Sequence, residues 1–143
     1  MVLLHTNILV HAADLDSPFF RKAKEIRDKA ANGELIACIS LQNLSEFYSV
    51  ITNPSQVEKP LTPSQAKEEV EKYLASENIK KLEIKQTTIS ATVALAEKYN
   101  VAKQNIYDTQ IVATMIENGI VKIITRNNDD FAAFEEIEAE NPF

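Results

Sequence analysis

Several acidic side chains, and one histidine, stand where a folded chain would gather them. Asp108 lies in Q-N-I-Y-D-T-Q-I-V-A-T-M-I-E-N-G. On a helix its same-face neighbours are Ile111, Val112, Met115 and Ile116, so a carboxylate interrupts an apolar stripe near the helix's N-terminal end. The helix dipole favours an acid there by under about 1 kcal/mol at an exposed site. A buried, unpaired carboxylate costs more than that, and needs a cation, a hydrogen-bond network or a metal. Both readings stay open for Asp108 taken alone. Glu46, in S-L-Q-N-L-S-E-F-Y-S-V-I, borders an apolar stripe beside Val50, where a solvated glutamate is the commoner case. Asp129 and Asp130 follow an apolar run and suit the start of a short helix. His5 ends the run Val2-Leu3-Leu4, a position that in α/β proteins often delivers a polar side chain to a site. Several acids at strand ends or helix starts suggest a Mg²⁺ or Mn²⁺ site, because hard cations prefer carboxylate oxygens and water.

Composition narrows the chemistry. With only Gly33 and Gly119, the chain has no glycine-rich loop to cradle a nucleotide phosphate. H-E-x-x-H and C-x-x-C are absent, which excludes zinc sites of those spacings. A net charge of −6 argues against a broad electrostatic grip on nucleic acid, but not against a metal-dependent nuclease with local basic groups. The one cysteine, Cys38, lies in an apolar run and reads as a small core residue of a cytoplasmic protein. Neither a signal peptide nor a membrane span is expected.

The elements that must position these groups alternate. At 143 residues the chain is expected to form one domain, 1–143. Residues 1–5 read as a strand and a short helix follows to residue 13. Asp16-Ser17-Pro18 reads as the start of a second helix that stops at Asn32-Gly33. Residues 35–39 are a buried strand, and Ser40 caps a helix that ends at Asn53-Pro54. Thr62-Pro63-Ser64-Gln65 has the capping-box pattern and opens a charged helix to about residue 78. Residues 79–84 alternate like a half-buried or edge strand. Helices are expected at 88–100 and 104–118, a strand at 120–124 and a short helix at 127–134; the remaining tail has no clear assignment. Strands separated by helices imply an α/β fold, a central parallel sheet of four to five short strands with helices on both faces. Ligand sites in such sheets gather beyond the C-terminal strand ends, where His5 and Thr125-Arg126-Asn127 fall.

The chain resembles the PIN-domain family, and within it the toxin ribonucleases (VapC-like) of prokaryotic toxin–antitoxin pairs. The resemblance rests on L-L-H-T-N-I-L-V-H-A-A-D, N-L-S-E-F-Y-S-V-I-T-N-P, I-Y-D-T-Q-I-V-A-T-M-I-E-N-G and I-I-T-R-N-N-D-D-F, with the ending E-N-P-F. It implies a three-layer α/β/α sandwich with four acids around one or two divalent metals, Mg²⁺ or Mn²⁺. It further implies RNA as substrate, a small antitoxin protein as partner and a homodimer. Glu46 matches the second acid, Asp108 the third and Asp130 the fourth, with Asn127 as a neighbouring ligand or support. Thr6, Asn7 and Thr125, with Ser45 beside them, match positions that organise the carboxylates. Arg126 is the leading candidate for the RNA backbone; Arg21, Lys22 and Lys24 read first as solvated helix faces.

The first acid of the family falls on residue 5, where D-T-N is expected and H-T-N stands. Imidazole is neutral when it ligates and suits Mg²⁺ less well than a carboxylate. A metal-dependent ribonuclease weakened or inactivated by His5 is therefore expected. The alternative is a non-catalytic PIN-like module that binds RNA or a protein. A phospho-receiver domain fits worse, since Leu4-His5-Thr6 lacks its acidic pair and Ile124-Thr125-Arg126 its lysine.

Overall fold

Two consecutive leucines, Leu3 and Leu4, are both fully buried and yet belong to two different cores. Successive side chains on a strand point to opposite faces, so both can be covered only where a sheet carries layers on each side. The computed structural model, which describes residues 1–143, has that arrangement. Its strands are β1 (Val2–Leu4), β2 (Ala37–Ser40), β3 (Ile79–Leu82), β4 (Lys122–Ile124) and β5 (Glu138–Glu140). They lie in the order β3-β2-β1-β4-β5, and every neighbouring pair is parallel.

One face is covered by α1 (Thr6–Ala13), α2 (Phe20–Ala31), α3 (Leu41–Ile51) and α4 (Pro63–Ala75). There Ile8, Leu9, Phe47 and Tyr73 pack with Leu4, Ile39, Ile79 and Ile124. The other face is covered by α5 (Gln86–Tyr99) and α6 (Ile106–Glu117), where Leu95, Ile111 and Met115 pack with Leu3, Cys38, Leu82 and Ile123. The period-two split of Leu3 from Leu4, Cys38 from Ile39 and Ile123 from Ile124 fixes the strand register. No helix is long and apolar enough to cross a membrane.

Local signals set most boundaries. Ser40 accepts the Gln42 N–H at 3.2 Å, and Asn43 Oδ1 accepts the Ser40 N–H at 3.0 Å, closing a capping box at α3. Thr62 and Gln65 do the same at α4, with Pro63 in the first turn. Gly119, at φ +66°, takes the left-handed turn after α6.

Four expectations change. The second helix begins at Phe20, because Ser17 Oγ accepts the Phe19 N–H and bonds His11 Nδ1 at 2.8 Å, holding Ser17–Phe19 in a turn. The α4 helix stops at Ala75 rather than near residue 78. The stretch expected as a helix over 127–134 contains only a 3₁₀ turn, Asn128–Phe131. The unassigned tail supplies β5, whose exposed glutamates hide its pairing from any hydrophobic pattern.

Cys38 is fully buried, and burial pushes its thiol up to about 12. The thiolate is the reactive form. The folded protein is therefore expected to resist iodoacetamide at pH 8 and to be labelled fully in denaturant, as read by intact mass. Rapid labelling of the native chain would contradict this packing.

Candidate functional site

The parallel strands all end on one edge of the sheet, and β1 lies at the point where the chain order reverses, with β2 on one side and β4 on the other. Such a switch point leaves a crevice beyond the strand ends. His5 follows β1, and its N–H donates to Ile124 O of β4 at 3.0 Å. A cavity of about 500 Å³ opens here. His5, Glu46, Asp108 and Asp130 line it together, with Thr6, Asn7, Arg126 and Asn127. Asp108 projects from the first turn of α6, where the helix passes beyond the sheet, and its side chain keeps 31% exposure. It is therefore half-exposed at a cavity wall rather than sealed in the apolar stripe.

Two asparagine–threonine relays orient the acceptors. In the first, the Ser40 N–H must meet Asn43 Oδ1, so Asn43 Nδ2 donates to Thr6 Oγ1 at 3.0 Å. Thr6 then spends its own proton on Glu46 Oε2 at 2.6 Å. Gln42 Nε2 donates to Glu46 Oε1 at 2.6 Å and to Tyr107 O at 3.0 Å, while Gln110 holds the Gln42 oxygen. Both oxygens of Glu46 are thereby engaged.

In the second relay the Arg126 N–H donates to Asn7 Oδ1 at 3.1 Å, so Asn7 Nδ2 donates to Thr125 Oγ1 at 3.0 Å. The Asn127 N–H also donates to Thr125 Oγ1, at 3.1 Å. A hydroxyl has two lone pairs and one proton. With both lone pairs taken, the Thr125 proton points at its remaining partner, His5 Nδ1, 3.0 Å away. The neutral imidazole then carries its hydrogen on Nε2, which faces Asp108 Oδ1 at 3.6 Å. The His5 ring is further fixed edge-on against Phe131, with centroids 5.1 Å apart.

The donors suit a hard cation in type, being three carboxylates facing one cavity. They do not form a closed cage: no three acidic, imidazole or thiol groups stand close enough to enclose an ion. An open site of this kind suits an ion held by one or two carboxylates, with water or a phosphate oxygen completing its shell. His5 in the tautomer above offers that shell an N–H instead of a lone pair.

Of the residues singled out from the sequence, His5, Thr6, Asn7, Glu46, Asp108, Arg126, Asn127 and Asp130 line the cavity, and Thr125 stands buried behind it. Ser45 is not brought there; it faces a separate apolar groove between α3 and α4, because one residue's step along α3 turns it away from Glu46. Asp129 is exposed and outside the cavity. Lys22 pairs with Glu25 and Lys24 with Asp28 on α2, as solvated faces do. The relay residues Gln42, Asn43 and Gln110 escaped the sequence reading, although the i,i+4 spacing of Gln42 and Glu46 carries a signal.

The family model described as PIN domain matches residues 2–137, and the chain belongs to the PIN-domain family. Within that family it is similar to the ribonucleases VapC48 and VapC24 of Mycobacterium tuberculosis. It is 26% identical to VapC48 over 96% of this chain and 94% of the relative. To VapC24 it is 26% identical over 94% and 91%. Among solved structures, M. tuberculosis VapC20, a sarcin–ricin-loop-cleaving toxin, superposes with TM-score 0.72 at 13% identity, covering 96% of this chain and 99% of that one. A toxin–antitoxin complex from Klebsiella pneumoniae gives TM-score 0.65 at 22% identity, covering 100% and 98%. These likenesses confirm the three-layer fold.

Asn43 is fully buried and satisfies two groups at once. Asn43→Ala is expected to lower unfolding stability by about 2–3 kcal/mol in urea titration, since it strands the buried Ser40 N–H and opens the α3 capping box. An unchanged midpoint and slope would show that the relay carries no such weight.

Proposed function

We propose that this chain is a VapC-like ribonuclease toxin that hydrolyses RNA phosphodiester bonds with Mg²⁺ or Mn²⁺, and that His5 weakens or abolishes its activity. The observation that carries this reading is the convergence of Glu46, Asp108 and Asp130 on one cavity whose fourth member is His5. Thr125 directs a proton at residue 5 as Thr6 directs one at Glu46, so the surroundings of residue 5 are built for an acceptor such as an aspartate.

Glu46, Asp108 and Asp130 would hold the ion, one or two of them directly and the rest through its waters, and when bound it would lower the pKa of water and offset charge on the phosphate. Glu46 is locked by Thr6 and Gln42 and serves as a fixed point of negative charge. Asp108 faces the cavity with no hydrogen-bond donor closer than the 3.6 Å approach of His5, which leaves it free to take a proton from the attacking water. His5 contributes no charge in its neutral form and directs its N–H at Asp108, which competes with that role. Support for a small antitoxin as partner comes from the neighbours of like fold, one of them a toxin–antitoxin complex and another VapBC2 of Rickettsia felis bound to promoter DNA. An antitoxin covering the cavity, and a second copy of the chain, complete the assembly we propose in the cytoplasm. The His5–Asp108 approach also favours a second reading, a non-catalytic module that binds RNA or a protein.

Cleavage of labelled RNA with Mg²⁺ or Mn²⁺ and with EDTA separates the two readings. His5→Asp is expected to raise metal-dependent cleavage by at least about 100-fold, more than the loss of a supporting hydrogen bond costs a metal site. Asp108→Asn in that background should remove the gain. Equal, robust cleavage with and without the substitution would show that residue 5 is no essential ligand. Binding of RNA with no cleavage by either form would favour the second reading.

A further inference from the structure

The tail motif E-N-P-F plays no part in the chemistry above, yet it reaches the cavity. Once β5 has paired with β4, the chain passes alongside the segment that carries Arg126. The Phe143 N–H donates to Asn141 Oδ1 at 3.0 Å, so Asn141 Nδ2 is left to donate to Arg126 O at 2.9 Å. From the other side, Asn7 Oδ1 accepts the Arg126 N–H at 3.1 Å. Two side chains from distant elements thus clamp both backbone groups of one exposed residue.

The Arg126 side chain is mounted as well. Its guanidinium carbon lies 4.9 Å from the centroid of the Phe19 ring. Phe19 is backed by Phe143, with centroids 4.7 Å apart, and by His11 at 5.1 Å. Burial first, and the nearby guanidinium second, hold the His11 imidazole below its ordinary pKa, which favours its neutral form beside Arg126. Arg126 takes part in no ion pair, although three carboxylates line the same cavity. It is also the only lysine or arginine on the cavity wall. A polyanion entering this acidic mouth meets one cation, held off the carboxylates by an aromatic ring. A flat guanidinium fixed in this way suits a phosphate oxygen pair.

We propose that Arg126 is the binding subsite for an RNA backbone phosphate next to the bond at the acidic cavity, with Phe19 as the residue that positions its guanidinium. This rests on the ribonuclease reading for the identity of the polyanion. The His11 and Phe143 rings keep Phe19 from turning, and Asn7 joins the two functions: one amide orients Thr125 toward residue 5 and anchors Arg126.

The test is fluorescence anisotropy of the full chain with a short, fluorescein-labelled single-stranded RNA in EDTA, over a range of salt. Arg126→Gln is expected to weaken binding about tenfold, as loss of a charged hydrogen bond does. It should also flatten the slope of log K against log salt by about 0.7, the value for one phosphate contact on a single strand. Phe19→Leu should weaken binding severalfold, and Phe19→Tyr, which keeps the ring, should restore it; thermal melting reports whether each variant is folded. Binding by the wild type that Arg126→Gln leaves unchanged in affinity and slope overturns the subsite and leaves the ribonuclease reading standing. Folded Phe19→Leu with wild-type affinity overturns the positioning role. No RNA bound by the wild type, with no cleavage by it or by His5→Asp, overturns both.

Discussion

Proton direction in two hydrogen-bond relays, one buried at Asn43 and one partly buried at Asn7, governs this site. A backbone N–H has one use, and the Ser40 and Arg126 N–H groups each assign the oxygen of an asparagine. Each asparagine must then donate with its nitrogen, and each threonine that accepts must donate onward. The relays end on Glu46 and on residue 5. A carboxylate at either end meets a donor and is oriented without neutralising its charge. At residue 5 the same proton instead selects one imidazole tautomer, and that tautomer turns an N–H toward Asp108.

The scaffold makes these relays possible by bringing three chain segments to one sheet edge. Parallel pairing of β1 with both β2 and β4 sets Asn43 within reach of Thr6, and Thr125 within reach of His5 and Asn7, although they are far apart in sequence. The two cores hold the edge rigid, since β1, β2, β3 and β4 each bury side chains on both faces. Buried polar groups carry a cost when unpaired, and here no buried side-chain nitrogen or oxygen lacks a partner. The site is thus preorganised by hydrogen bonding in the free chain, while the ion-binding geometry itself remains open.

Much of this was legible in the residues. Asp108 announced itself as a carboxylate in an apolar stripe, and the H-T-N and T-R-N-N-D-D-F stretches located the two strand ends that meet. Ser45 was misplaced, because a one-residue step on a helix changes its face by about 100° and only packing shows which face turns inward. The strand β5 went unseen: Glu138 and Glu140 are polar edge residues, paired through backbone groups that carry no sequence pattern. Its consequence, the delivery of Asn141 and Phe143 to Arg126, was equally hidden.

Local rules in the sequence determined the alternation of strands and helices, the capping of α3 and α4 and the parallel class of the sheet. Those features depend on side-chain period and on groups within a few residues, which the linear chain displays directly. The tertiary structure alone decided which hydroxyl donates to which acceptor, which nitrogen of His5 bears its hydrogen and why Arg126 stays clear of three carboxylates. These depend on hydrogen-bond partners 37 to 120 residues away, and a donor's direction is defined only once every competing partner is in place.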